Sequence, residues 1–125
     1  MTIYTLVVLN NPTEGREDEY NDWYDNLHLP ENFTDVAGMK TAQRFKLAAP
    51  GYMARKTGHM PWRYLTIYEV EAESPDAVEA AFDDARARGG IAANDAFDLS
   101  SVGGWFFEPI GPKLTQETAP PPRRN

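Results

Sequence analysis

Tyr20-Asn21-Asp22-Trp23-Tyr24-Asp25-Asn26-Leu27-His28-Leu29-Pro30 is the stretch on which the fold of this chain turns. Tyr20, Trp23, Tyr24 and Leu27 recur at i, i+3, i+4 and i+7, the spacing of one helical face, and Pro30 is expected to limit continuation of that helix. At about 100° of turn per residue, His28 lies about 40° round from Tyr24. This puts the imidazole at the border of an aromatic stripe, where it can be half-buried and still meet a ligand.

Working outward, Thr2 to Leu9 is β-branched and aromatic and stops at Asn10-Asn11-Pro12, so it reads as a strand. Thr13 is a candidate cap, and Glu14, Glu17 and Asp18 suit the positive end of a helix expected from about residue 14 to His28. Asn32 to Val36 can add a further turn before Gly38. Residues 39–47 alternate, with Met39, Thr41, Gln43, Phe45 and Leu47 on one face and Lys40, Ala42, Arg44 and Lys46 on a polar face. Residues 48–62 are long for a connection and mix glycine, proline, aromatics and cations, so 50–62 reads as a lid. Residues 63–71 form a third strand. Ser74-Pro75-Asp76 then gives an N-cap, a first-turn proline and an early acid for a helix over about 75–88. That helix buries Val78, Ala81, Phe82 and Ala85, exposes Glu79, Asp83 and Arg86, and ends at Gly89-Gly90. Residues 91–100 suit a short turn with Phe97 and Leu99 tucked in, and residues 101–109 a fourth strand.

The order βαββαβ predicts an α+β, ferredoxin-like fold: a four-stranded antiparallel sheet with two helices on one face. With 125 residues, 42% of them hydrophobic, the chain has material for one core, placed at 1–112, with an extended Pro/Arg-containing tail at 113–125. The other sheet face needs a cover, and a second copy packed sheet to sheet is the economical one, giving a homodimer. No cysteine is present, and the first ten residues lack the pattern of a signal peptide, so the cytoplasm is the expected compartment. No apolar run approaches the roughly 20 residues that span a bilayer, and a net charge of −7 argues against nucleic acid or an anionic membrane as partner.

The charge is uneven. Residues 1–38 carry eight acids against Arg16 alone, a balance of −7, whereas residues 39–72 carry six cations against Glu69 and Glu71, a balance of +4. Solvated faces explain this, and so does a basic middle that attracts an anionic small molecule. Asp25 and His28 are one carboxylate and one imidazole where a metal site wants three or four ligands, so no metal is expected. There is no glycine-rich phosphate loop, no G-x-S-x-G and no G-x-G-x-x-G to hold a nucleotide or support serine hydrolysis.

The run WYDNLHLPE, the glycine ten residues after His28 and AQRF on the next strand together resemble the EthD-like group of the dimeric α+β barrel superfamily, over roughly residues 2–109. The resemblance implies that fold and a small enzyme without cofactor, in the company of cyclases, isomerases, lyases and monooxygenases that need neither metal nor flavin. It also implies an acid/base role for His28, the position that matches the histidine of the helix-end motif. Independently, histidine is the side chain whose ordinary pKa suits proton transfer near neutrality. Asp25, one turn earlier, is placed to orient the ring or to face water. The expected substrate-binding residues are Trp23, Tyr24, Arg44, Phe45, Tyr64, Tyr68, Trp105 (or Phe107) and, from the long loop, Arg55, a lining that suits a flat conjugated ligand. Arg44 can hold a carbonyl or carboxylate, or make an ion pair facing a partner. His59 reads as a solvated histidine. Proton transfer on a carbonyl-bearing or phenolic, aromatic or polyketide-like substrate follows, as a lyase, isomerase or cyclase. The alternatives are a cofactor-free monooxygenase and a non-catalytic binding or accessory protein in which His28 only closes a helix.

Overall fold

The computed structural model describes residues 1–49, 51 and 61–124. The elements are β1 (Thr2–Asn10), α1 (Glu17–Trp23), α2 (Leu29–Asp35), β2 (Met39–Lys46), β3 (Tyr64–Ala72), α3 (Pro75–Ala87) and β4 (Gly103–Phe107). The strands run in the order β2-β3-β1-β4, each antiparallel to its neighbours. This is the expected ferredoxin-like α+β sheet, and the helices cover one face of it. Tyr4 and Leu6 of β1 and Tyr68 and Val70 of β3 pack there against Val78 of α3, with Leu29 and Phe82 around them. Tyr20, Trp23 and Tyr24 pack against Tyr64. The expected lid, residues 50–62, falls almost wholly outside the described residues.

Period-two alternation is cleanest in β3, where Tyr64, Thr66, Tyr68, Val70 and Ala72 are buried and the residues between them are half-exposed. On β2 the polar and apolar faces are reversed from expectation. A register shift between Met39 and Thr41 turns Met39 inward opposite Val70, while Ala42, Arg44 and Lys46 lie opposite Tyr68, Thr66 and Tyr64, on the helix side. Phe45, opposite Leu65, therefore faces away from the helices. On β4, Phe106 pairs with Leu6 and faces inward, leaving Trp105 and Phe107, 47% and 57% exposed, on the face that no described helix covers, where Trp62 meets Trp105 edge-on.

The helix boundaries also differ. Thr13 does not cap α1: its hydroxyl donates to the Asp95 carbonyl at 2.6 Å, tying the β1–α1 loop to the segment before β4. Gly15, at φ +79°, turns the chain, and α1 begins at Glu17 without a side-chain cap. Pro30 does not stop the first helix, because a π turn over Tyr24–His28 precedes it and the Leu29 N–H reaches back five residues to the Tyr24 carbonyl. A proline ring clashes with the carbonyl four residues earlier, and the wider π turn loosens the backbone there, so α2 starts with Pro30 in its first turn. α3 has the expected cap, with the Ser74 hydroxyl accepting from Ala77 N–H at 3.1 Å. Residues 91–98 carry no regular element, and a 3₁₀ turn spans Leu99–Ser101. Phe97 packs inward as expected, but Leu99 is exposed.

Gly38 joins α2 to β2 at φ +87°; its carbonyl accepts from Glu71 N–H at 2.8 Å, and a Cβ there would collide with the Glu71 carbonyl oxygen. Both the conformation and the space demand glycine. Gly38→Ala is expected to cost at least about 2 kcal/mol and to lower Tm by roughly 5–10 °C in a calorimetric scan.

Candidate functional site

The π turn decides where His28 points. In a straight α-helix, residues five apart diverge by about 140°, but a turn closed by i to i+5 bonds aligns them. Trp23 and His28 are such a pair, stacked with ring centroids 4.6 Å apart and planes 19° apart, while Tyr24 meets the imidazole edge-on at 5.0 Å. The same turn rotates Leu27 out of the stripe in which its spacing placed it, to 45% exposure.

On the side of Tyr24 away from His28 lies a polar network. The Tyr24 hydroxyl accepts from Asn10 Nδ2 at 3.3 Å and from the Thr66 hydroxyl at 3.2 Å, and the Tyr20 hydroxyl donates to Asn10 Oδ1. Arg44 lies over the rings of Tyr24, Tyr20 and Tyr64 at 4.4, 5.1 and 5.4 Å. Its two terminal nitrogens donate to Asp25 Oδ1 and Asn21 Oδ1, both at 2.8 Å. Asp25 therefore holds Arg44 rather than orienting His28. Arg44 in turn is engaged within the chain, 12% exposed at its side chain, and does not line the cavity described next. Tyr64 donates to Glu17 and belongs to this network.

A cavity of about 470 Å³ opens between the sheet and the helices. Leu6, Val8, Tyr68, Gly104 and Phe106 form its sheet wall; Trp23, Tyr24 and His28 come from the first helical segment; Glu79, Phe82 and Arg86 come from α3. Ile91 to Asn94, Phe97, Leu99 and Val102 complete it. Of the residues anticipated from the sequence, His28, Trp23, Tyr24 and Tyr68 meet here. Phe45 and Trp105 are on the opposite face of the sheet, and Arg55, like Lys56 and His59, lies outside the described residues. The contributions of Phe97, Phe106 and the α3 face were missed. Glu79, Phe82 and Arg86 stand at i, i+3 and i+7, a stripe legible in the sequence, but one with charged ends reads as a solvated face.

The imidazole Nδ1 is buried and has no hydrogen-bond partner among the described residues. One turn on, Asn32 is fully buried with neither side-chain atom bonded, and Glu31 Oε1 is buried likewise. Burial lowers the pKa of His28 to about 4, with the charges of Arg86 and then Arg44 acting in the same direction. The ring is therefore neutral at physiological pH. Burial raises the pKa of Tyr68, which stays a protonated hydroxyl on the facing wall.

No family model matches the sequence, and no curated protein matches it significantly. Among solved structures, the chain is similar to an ethyl tert-butyl ether D (EthD) family protein from Bacillus halodurans, with 15% identity and a TM-score of 0.56. The match covers 88% of this chain and all of that one. The two share a fold.

Because the folded-state pKa of His28, about 4, lies below the ordinary 6.5, the unfolded chain binds this proton more readily. The stabilisation is complete above about pH 6.5 and lost as pH falls through 4, by up to about 3 kcal/mol. His28 is expected to titrate near pH 4 by NMR, and His28→Leu to flatten the loss of stability between pH 6.5 and 4.

Proposed function

We propose that this chain is a small cofactor-independent enzyme of the EthD type, in which His28 moves a proton on a carbonyl-bearing or phenolic substrate held between aromatic walls. The observation that carries this reading is the imidazole itself, neutral, stacked on Trp23 and lining a cavity large enough for a small molecule. The likeness in fold to an EthD family protein supports it. A neutral imidazole can take a proton from a carbon next to a carbonyl or from a phenol, while the Tyr68 hydroxyl offers a proton to an oxygen that gains charge. Return of the proton to a different atom makes the reaction an isomerisation; loss of a leaving group makes it a lyase step, and attack on a second carbonyl a cyclisation.

A panel of aromatic lactones, phenolic ketones and phenolic acids, assayed with and without oxygen, tests the reading. His28→Ala is expected to lower turnover on the active member by about two to four orders of magnitude with the fold intact. Activity within about threefold of the native protein would remove His28 from the proton transfer and favour a binding protein. Dependence on oxygen would point to a monooxygenase.

We further propose that the functional unit is a homodimer formed through the uncovered sheet face. Ile3, Phe45, Trp105 and Phe107 are exposed there together, with Val7 and Ile67 half-buried between them. Sedimentation at micromolar concentration is expected to give about twice the 14.1 kDa chain mass. Phe107→Lys combined with Trp105→Glu is expected to give a folded monomer, and a strict monomer in the native protein rejects this dimer.

A further inference from the structure

Among the described residues, Arg86 is the cation that lines the cavity, and it is held differently from Arg44 and Arg88. Arg44 is only 12% exposed at its side chain and is held by Asp25, Asn21 and three tyrosine rings. Arg88 is tied to Asp84 at 2.9 Å and to the Asp35 carbonyl at 2.9 Å. Arg86 has, among the described residues, one bond, to Asp83 three residues earlier at 3.2 Å, with the two side chains 59% and 76% exposed. An exposed pair of that kind is worth roughly 0–1 kcal/mol, so it does little to hold the guanidinium in place. The head lies over the ring of Phe82 at 5.8 Å, and both residues line the cavity.

The second charged group at the cavity, Glu79, is two turns up the same helix, about 10 Å along the axis. After burial, the charge of Arg86 is the largest influence lowering the pKa of His28. Among the described residues, a loosely held cation thus lines the same cavity as a histidine with a buried, unpartnered nitrogen, and flat apolar surfaces line the rest.

We propose that the cavity takes a flat aromatic or conjugated carboxylate, its carboxylate held by Arg86 at the mouth and its ring lying against the wall that Trp23, Phe97 and Phe106 form. The proposal rests on the reading of this cavity as the substrate site and names the substrate class. A guanidinium fits a carboxylate through two parallel N–H···O bonds, and its partial shielding at the cavity mouth strengthens the pairing. The bound anion also offsets the cationic field of Arg86 at the imidazole. Its arrival raises the pKa of His28, so the base gains strength only when the substrate is present.

Calorimetric titration with 2-naphthoate and 2-naphthamide, isosteric probes that differ in charge, tests this. The native protein is expected to bind the acid at least tenfold more tightly than the amide. Arg86→Gln is expected to reduce that preference to within about twofold, Arg88→Gln to leave it intact, and the NMR titration of His28 to move upward with naphthoate alone. Equal affinity for acid and amide, or a preference that survives Arg86→Gln, overturns the carboxylate proposal while leaving the catalytic reading standing. Absence of binding by either probe up to millimolar concentration counts against both. Loss of proton transfer as the role of His28, with the acid still preferred, overturns the catalytic reading alone.

Discussion

Arg44 over its tyrosines is the interaction on which the rest of the site depends. A guanidinium on the inner face of a sheet loses most of its hydration and is tolerated only when charge and donors are matched. Here Asp25 supplies the charge, Asn21 a second acceptor, and Tyr20, Tyr24 and Tyr64 the electron-rich faces. Those partners come from α1, the π turn after it and β3, so satisfying one cation fixes the first helix on the sheet in rotation and in height. Asn10 and Thr66 then hold the Tyr24 hydroxyl from β1 and β3. With its hydroxyl anchored, the ring of Tyr24 becomes a rigid wall for His28.

The π turn converts that fixed helix into a site. It allows the helical path to pass Pro30, and it brings His28 under Trp23, where stacking and burial keep the imidazole uncharged. The two effects have one cause, the extra residue in the turn. Without it, Trp23 and His28 would point in different directions, and the proline would break the helix near where the sequence suggests. Extra residues of this kind recur at functional positions because they re-aim side chains at little cost in hydrogen bonds.

The order and type of elements were legible because α3 has its cap and proline, β3 its strict alternation, and residues 20–24 a helical spacing. Facing was legible only where polarity and burial agree. On β2 they disagree, since Arg44 is charged and buried, and a one-residue shift at Lys40 exchanges the faces. β4 fails differently: Trp105, Phe106 and Phe107 are all apolar, so composition cannot show which of the three faces inward, and pairing with Leu6 decides for Phe106. Of the site itself, the His28 motif and its aromatic neighbours in sequence could be read. Phe97 lies in an irregular segment positioned by the Thr13 contacts with Asp95 and Ala96, which no local pattern announces.

The uneven charge has a structural explanation in the same terms. Acids of α1 and the π turn meet cations of β2 and of the residue before β3 directly: Asp25 with Arg44 at 2.8 Å, Glu17 with Arg63 at 3.2 Å and with Lys46 at 3.6 Å. Three cations of the basic middle, Arg44, Lys46 and Arg63, are thus engaged within the fold in holding the acidic first helical segment. Among the described residues, the cation loosely held at the cavity is Arg86, on α3 and outside the basic middle altogether. Its place at the cavity follows from the helical spacing of α3, which sets it on one face with Glu79 and Phe82.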